Sequence, residues 1–401
     1  IRDHCVTGVQ TCALPISESR VDLISGLGAP TAGEPSDDHS GGGIRRGVDG
    51  FLYVAVGDRG VPRGIGADDA TIRMASGGVV RVRPDGTGLE VVSTGDDQTI
   101  ALMLSAGDDV FSFGGGDGRK RWAKSLVHHI VSGRYGYPYQ FLNAAFRTLP
   151  VVSKLGDGRA GQGVCYNEGR LPETFDGNLI VCDPEAQTVH RLEIRKAGGS
   201  FTLARRTPLA ARGSLAEFRP YSIATQADGG GFWVVDQGST GRLYRLTYEG
   251  PGLRPTPSRP ADRLKALDHP ALSVRLAAED GLVDEGRAAV GRLAARLREA
   301  EPTPGRIHAL WALDRIGTVE AREAIRSVLS DPSAPIRLQA ARSSGLRRDR
   351  EAGPALGRLV HDRDPAVRRE AAVALGRIGD RAASPALLAA LGDADRFAAW
   401  S

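Results

Sequence analysis

The chain has 401 residues, of which 41% are hydrophobic, 25% charged and 5% aromatic. This length predicts two or three domains, and the apolar content excludes a fully disordered chain. The 52 basic and 48 acidic residues leave a net charge of +4 that is too dispersed to predict nucleic-acid binding. No run of about 18 apolar residues predicts a membrane span.

Residues 1–17 are set aside from the fold, because the segment 6–16 (VTGVQTCALPI) resembles a translated sequencing adapter. The native start of the chain is therefore expected to be missing, so that a signal peptide would not be visible. None of the four cysteines lies in a CxxC or CxxCH motif, which argues against zinc-ribbon, thioredoxin-like and covalent haem sites. Cys165 and Cys182 are interpreted as small buried apolar residues, or as a disulfide pair if the protein is exported.

Between residues 18 and 250, short β-rich segments alternate with turns that contain glycine and aspartate. The strand candidates are 51–56, 78–83, 109–113, 178–182, 188–194, 231–235 and 242–246. No segment with helical periodicity interrupts them, which is typical of a sandwich, a barrel or a propeller. The recurring order of turn, strand, turn and strand favours the propeller, and about four such units can be placed.

A proline-rich segment, residues 251–260, holds four prolines and predicts a semi-rigid linker. After it, the pairs Val274-Arg275, Ile336-Arg337 and Val367-Arg368 follow one another at steps of 62 and 31 residues. The 31-residue unit predicts two short helices per repeat, which can bury their apolar stripes by stacking on neighbouring repeats. Residues 261–401 are thus predicted to form a helical solenoid of about five repeats, truncated at its C-terminus. Its arginines are expected to form a solvated face or a strip for a protein partner: Arg347, Arg348, Arg350, Arg368 and Arg369.

The densest polar motif lies early in the chain, where His39 and Asp58 are 19 residues apart, each beside a predicted strand end. A histidine can accept a proton near neutral pH, and a carboxylate on its other ring nitrogen orients it and stabilises the cation. These two residues are therefore the candidate catalytic pair. The alternative is a turn histidine and an aspartate that closes a blade turn.

Four motifs, at residues 39–58, 77–88, 132–138 and 240–246, resemble the signature of soluble quinoprotein sugar dehydrogenases. These are six-bladed propellers that use pyrroloquinoline quinone (PQQ). Over residues 18–401 the chain also resembles planctomycete-type membrane-bound dehydrogenase-like proteins, in which a glucose/sorbosone dehydrogenase-like propeller precedes HEAT repeats and a haem-c domain with a CxxCH motif. The resemblance implies an all-β propeller of the six-bladed type, truncated at its N-terminus, followed by an all-α HEAT-like solenoid, with the haem-c domain absent from this fragment.

The resemblance further implies that His39 takes the proton of a sugar hydroxyl, that Asp58 orients His39, and that calcium polarises PQQ. Two departures from the family pattern stand out. The segment Thr94–Thr99 has Asp97 where the family places an arginine that stabilises the reduced quinone. The loop 114–118, expected to bind calcium, retains Asp117 as its one carboxylate.

Two functions follow. The first is a quinone-dependent sugar or alcohol dehydrogenase, in a periplasmic or exported protein, with electrons leaving through a haem-c domain. The second is a non-catalytic scaffold in which the propeller and the HEAT array recognise a glycan or a protein. The His39–Asp58 spacing favours the first function, and the missing arginine favours the second.

Overall fold

The computed structural model describes residues 21–27, 41–115, 123–137, 147–256, 258–300 and 304–401. Residues 1–17, interpreted as an adapter, lie outside these ranges. Up to residue 250 the described chain is rich in strands, and beyond residue 262 it is helical. The strands are β1 (Ile24–Ser25), β2 (Gly41–Arg46), β3 (Leu52–Val56), β4 (Val61–Gly66), β5 (Thr71–Met74), β6 (Gly77–Val82), β7 (Glu90–Asp96), β8 (Thr99–Leu104), β9 (Val110–Gly114), β10 (Lys124–His129), β11 (Gly133–Arg134), β12 (Ser153–Gly156), β13 (Gly163–Cys165), β14 (Leu179–Asp183), β15 (Thr188–Ala197), β16 (Ser200–Ala211), β17 (Pro220–Thr225), β18 (Gly231–Asp236) and β19 (Arg242–Thr247).

Four sheets follow one another along the chain. The first sheet has the order β11-β7-β6-β3-β2, the second β12-β10-β9-β8, the third β13-β14-β15-β16 and the fourth β17-β18-β19. A smaller sheet, β1-β4-β5, packs on the first. Apart from the short parallel pair β7–β11, neighbouring strands are antiparallel, as in a chain of hairpins.

The edge strands β2, β8, β13 and β17 adjoin one another in this order, and apolar clusters fill the space between successive sheets. Glycine is required where β2 meets β8, because a Cβ atom on Gly42 would lie 2.3 Å from the carbonyl O of Thr99. Sheets stacked face to face through their edge strands are arranged like successive blades of a β-propeller. Within the described ranges the sheets do not close into a ring.

The helices form pairs. The longer first helices are α2 (Leu272–Asp284), α4 (Pro304–Ile316), α6 (Ala334–Leu346) and α8 (Pro365–Ile378), and the shorter second helices are α3 (Val290–Leu297), α5 (Val319–Ser327), α7 (Gly353–Leu359) and α9 (Ser384–Ala390). A short helix α1 (Arg263–Ala266) precedes them and α10 (Arg396–Trp400) follows. One continuous apolar core runs through the stack from Ala266 to Ile378, which is the packing expected of a helical HEAT-repeat region. No helix in the described part of the chain is long and apolar enough to cross a membrane.

A ladder of arginine–aspartate ion pairs joins successive repeats. Its members recur every 31 residues and pair as Arg306–Asp331, Arg337–Asp362 and Arg368–Asp393. Each aspartate also accepts a backbone N–H two residues later, which shapes the turn before the next helix. Charge and turn geometry thus repeat with the helices, so that the ladder fixes the spacing between repeats.

The first helices face the sheets. Gln339 on α6 donates from Nε2 to the carbonyl O of Gly107 over 2.7 Å, and Arg369 on α8 donates to the carbonyl O of Gly199. Arg369 is therefore buried, with 3% of its side chain exposed, and the expected solvated face is wrong for this residue, because the sheets cover it.

The proline-rich segment is anchored rather than free. Arg254 donates from its backbone N to the carbonyl O of Arg170 over 2.8 Å, and its guanidinium pairs with both oxygens of Asp176. The linker therefore lies against the turn that precedes β14, in the third sheet.

Candidate functional site

A cavity of about 260 Å³ opens where the first and second sheets meet. Its floor is the connection from β7 to β8, which carries Asp96, Asp97 and Gln98, and its walls come from the ends of β9, β10 and β12. Glycine keeps the walls close: a Cβ atom on Gly114 would lie 2.2 Å from the carbonyl O of Gln98. The backbone, rather than bulky side chains, therefore sets the shape of the floor.

Asp96 is a buried residue of the cavity lining, and it contacts the buried His129. Oδ2 of Asp96 accepts a hydrogen bond from Thr99 Oγ1 over 3.0 Å and lies 3.5 Å from His129 Nε2. The ring of His129 is held by two hydroxyls, with Nε2 2.7 Å from Ser112 Oγ and Nδ1 2.7 Å from Ser93 Oγ. A neutral imidazole needs one donor and one acceptor, and two serines can supply both.

Burial sets the protonation of this pair. It raises the pKa of Asp96 to about 7, with the neighbouring charge of Asp97 adding to the effect and the Thr99 hydrogen bond opposing it. Burial also lowers the pKa of His129 to about 3, so the ring is neutral at physiological pH. Asp96 is thus the group of this pair that changes charge near neutrality.

His128 is directed away from the cavity, as the alternation of a strand requires. Its Nδ1 lies 3.0 Å from Ser200 Oγ and its ring stands 6.3 Å from that of Phe397 on α10. Neighbouring histidines of one strand therefore serve different surroundings: His129 contacts Asp96 and Ser112, which line the cavity, and His128 lies at the contact with the helices.

The rim of the cavity is charged. Lys154 and Asp157, both exposed, line it together with the buried Asp97. Val127, Val151 and Tyr135 supply an apolar side. Three carboxylates against one ammonium group make the described lining acidic, and it offers hydrogen-bond acceptors in excess of donors.

Asp58 lies next to this cavity, outside the described lining. Its Oδ2 accepts a hydrogen bond from the Tyr137 hydroxyl over 2.7 Å, and the backbone N of Tyr137 donates to the carbonyl O of Gly95 over 2.8 Å. The neighbouring Gly57 forms a bridge with Gln98. Tyr137 therefore fixes the Asp58 carboxylate against the segment that forms the cavity floor.

The other predicted site residues have different outcomes. His39 and Asp117 lie outside the described residues, so the pairing of His39 with Asp58 stays a prediction. Asp97, singled out as an anomaly in the sequence, lines the cavity. Asp96 and Lys154 were missed. The run Gly95–Thr99 held the signal for Asp96, whereas Lys154 reaches the cavity by sheet pairing that no local motif reveals.

The cysteines of the sheets are free thiols: Cys165 is half-buried and Cys182 is buried. Burial raises the pKa of the Cys165 thiol to about 12. They therefore act as small apolar side chains, which is one of the two alternatives that the sequence left open.

The described lining does not fit PQQ. This cofactor carries three carboxylates, and Asp96, Asp97 and Asp157 would face them with Lys154 as the counter-charge. Among the described residues, no group of three or more His, Cys, Asp or Glu side chains converges as a metal site. The sequence contains no CxxCH motif for haem c. No step is therefore assigned to a quinone here.

The family comparisons divide the chain as its secondary structure does. Residues 16–245 match the model described as a domain of unknown function, DUF7133. Residues 323–400 match HEAT repeats, and residues 306–331 match the PBS lyase HEAT-like repeat. No curated protein is similar enough to count as a match.

Among solved structures, the chain is similar to an oxidoreductase from Thermus thermophilus described as a glucose dehydrogenase, at 19% identity and a TM-score of 0.39 over 53% of this chain and 67% of that one. The PQQ-bound aldose sugar dehydrogenase of Streptomyces coelicolor gives 16% identity and a TM-score of 0.37, over 52% and 62%. The CpcE–CpcF complex of the Nostoc phycocyanin lyase gives 28% identity and a TM-score of 0.29, over 38% and 67%. The chain thus spans about two thirds of the length of these structures.

Proposed function

The chain belongs to the DUF7133 family, a domain of unknown function, and we propose that its sheet region binds a sugar or related polyol in the cavity around Asp96 and Asp97. One observation carries the proposal: carboxylates, an ammonium group and an apolar side converge on one cavity of about 260 Å³. Carboxylates accept hydrogen bonds from vicinal hydroxyls, and an apolar side packs against the C–H face of a sugar ring.

The charges of the lining define a preference among sugars. Asp97 and Asp157 repel a ligand that carries a carboxylate, whereas a neutral or amino sugar meets acceptors and Lys154 as a donor. The partly protonated Asp96 can donate or accept near neutral pH. The proposed ligand is therefore a neutral or amino-bearing polyol. Uronic acids, which carry a carboxylate, are not expected to bind.

Isothermal titration calorimetry with glucose, glucosamine and glucuronate tests the proposal. We expect glucose and glucosamine to bind and glucuronate to bind at least tenfold more weakly. Asp97→Asn should weaken glucose binding about tenfold, because a hydrogen bond to a charged acceptor contributes about 1.5–3 kcal/mol, and it should reduce the discrimination against glucuronate. Asp228→Asn, in an exposed turn of the fourth sheet, is the matched control. Equal affinities for all three sugars, or no detectable binding of any of them, would contradict the proposal.

A quinone-dependent sugar or alcohol dehydrogenase is the second candidate, with His39 as the proton acceptor and with the quinone bound by residues other than the acidic lining around Asp96 and Asp97. The observation in its favour is the Asp58 carboxylate, which Tyr137 holds beside the cavity and which can orient a histidine. An exported or periplasmic location belongs to this candidate. Dye reduction by protein supplied with PQQ and calcium, across a panel of aldoses, measures it. Turnover that is lost in His39→Ala supports the dehydrogenase. Sugar binding without turnover would contradict it and would agree with the polyol-binding function.

A further inference from the structure

A groove of about 540 Å³ runs along the side of the solenoid that faces away from the sheets. It lies between the second helices α5 and α7 and includes the turns that follow them. Because the first helices are covered by the sheets, this side is the free surface of the repeats. Its lining combines helix and turn residues of two successive repeats, so a ligand there would contact both repeats.

The floor of the groove is apolar and its rim is basic. Leu329 and Leu359 form the buried floor, and Ala355 and Pro332 stand beside them. Four arginines line the groove, and the last two of them are exposed: Arg326, Arg337, Arg358 and Arg363. Asp331 and Asp362 are also part of the lining, so arginines outnumber carboxylates.

Both of these carboxylates, and the arginines Arg326 and Arg337, form ion pairs within the solenoid. Arg337 pairs with Asp362 in the ladder, and Asp331 pairs with Arg306. Arg326 pairs with Asp349 and Glu351 at the start of the next helix. These contacts hold the repeats together and leave little charge for a ligand.

Arg358 and Arg363 differ from the ladder arginines. Both are exposed, and in the described part of the chain no carboxylate lies within ion-pair distance of the Arg358 guanidinium. Arg363 donates from Nη2 to the carbonyl O of Pro332 over 3.2 Å. Their presence at this groove is therefore not explained by an ion pair that the fold needs.

The repeat itself supports this distinction. In the preceding and following repeats, the position of Arg358 is occupied by Ser327 and Ala389. The position of Arg363 is occupied there by Pro332 and Ala394. The ladder arginines recur at every step because stacking requires them. Arg363 occurs in one repeat, so stacking does not require it. Two steps before Arg358 stands Arg296, which pairs with Asp268 and Glu299, whereas Arg358 has no such carboxylate partner among the described residues.

We propose that the groove between α5 and α7 binds an acidic linear peptide segment that carries leucine-like side chains. The carboxylates of the segment would meet Arg358 and Arg363, and an apolar side chain would cover the floor at Leu329 and Leu359. Arginine forms two parallel hydrogen bonds to a carboxylate, which gives such a contact direction as well as charge. The partner is thus a protein with an exposed acidic and apolar segment.

Fluorescence anisotropy with the full chain tests the proposal. The probe is a fluorescein-labelled peptide of sequence acetyl-ELEELE-amide, and the comparison peptides are QLQQLQ and EAEEAE. We expect the acidic leucine peptide to bind at least tenfold more tightly than either comparison, with an affinity that falls as salt rises. Arg358→Ala and Arg363→Ala should each weaken its binding at least fivefold without lowering the melting temperature, because both side chains are exposed.

Arg381→Ala, at an exposed position of the next repeat outside the groove, is the matched control and should bind the probe like the wild type. If Arg381→Ala weakens binding as much as Arg358→Ala does, the contact is diffuse attraction to a basic surface and the proposal is wrong. Equal binding of the ELEELE and EAEEAE peptides would also overturn it, since the apolar floor would then play no part.

Discussion

The backbone N–H of Gly199 donates to Oδ2 of Asp395 over 2.9 Å, which joins the β15–β16 turn to the start of α10. Oδ1 of the same carboxylate caps α10 by accepting from the N–H groups of Phe397 and Ala398. One side chain thus fixes a helix end and a hairpin of the sheet region at once. The two halves of the molecule meet there through a backbone N–H of the sheet region and a carboxylate of the helical region.

Replacing Gly198 by alanine should loosen this junction. Gly198 has φ +59°, and a Cβ atom there would lie 2.0 Å from Asp395 Oδ2, a side chain that cannot move without giving up its cap. Gly241→Ala is the matched control, because Gly241 has φ +52° and a Cβ atom there would have no other atom within 4 Å. Both substitutions strain the backbone by about 1 kcal/mol, and we expect Gly198→Ala to cost about 1–2 kcal/mol more. Urea unfolding followed by tryptophan fluorescence gives the two values, and equal losses would contradict the expectation.

The arginine–aspartate ladder predicts a large effect at Arg337. Its guanidinium binds both oxygens of Asp362 and the carbonyl O atoms of Asp331 and Pro332. Arg337→Met would leave Asp362 unpaired and both carbonyls without a donor, a loss of about 3–5 kcal/mol for a buried pair. Arg350→Met, at an exposed position, should change stability by less than about 0.5 kcal/mol. A small loss at Arg337, measured by urea unfolding, would mean that helix packing alone sets the spacing of the repeats.

Glu370 predicts how the molecule responds to acid. Burial opposes its ionisation, but Arg342 and Arg369 outweigh this effect and lower its pKa to about 2. A carboxyl whose pKa is lower in the folded state than the usual 4.5 stabilises the fold above pH 4.5 and loses that contribution as the pH falls towards 2. Glu370→Gln should therefore be less stable than the wild type at pH 7, and the gap should narrow below pH 4.5.

Thermal unfolding between pH 3 and pH 8 measures this gap for Glu370→Gln. Glu351→Gln, whose side chain is 76% exposed, is the control and should follow the wild type at every pH. A gap that stays constant from pH 7 to pH 3 would show that the glutamine disturbs packing rather than removing a charge.

The stacked helices are the part of the fold that the sequence predicts best. Their 31-residue spacing returns in the helices and in the ion pairs, because each repeat contacts mainly its neighbours. The burial of Arg369 on α8 could not be predicted, since its partner Gly199 lies 170 residues earlier, in the β15–β16 turn of the third sheet. The sequence shows which residues are charged, but their exposure depends on which distant segments of the fold pack against them.

The candidate site shows the same limit. The run Gly95–Thr99 was visible as an anomaly because Asp97 replaces an expected arginine, and this run forms the cavity floor. Lys154 joins it through a strand pairing that depends on register across turns of variable length. Sequence patterns therefore located one segment of the cavity and missed the side chains that other strands bring to it.

Asp96 predicts a dependence on pH opposite in sign to that of Glu370. Its pKa rises from 3.8 to about 7 on folding, chiefly because it is buried. The folded state then binds more protons than the unfolded state between pH 4 and 7, so this group lowers stability as the pH rises through that range. Asp96→Asn keeps an acceptor for Thr99 and removes the charge. Relative to the wild type, its free energy of unfolding should therefore increase by about 2–4 kcal/mol from pH 5 to pH 8, because a tenfold change in proton affinity corresponds to about 1.4 kcal/mol. Urea unfolding at the two pH values measures the increase, and no change would mean that Asp96 is already ionised at pH 5.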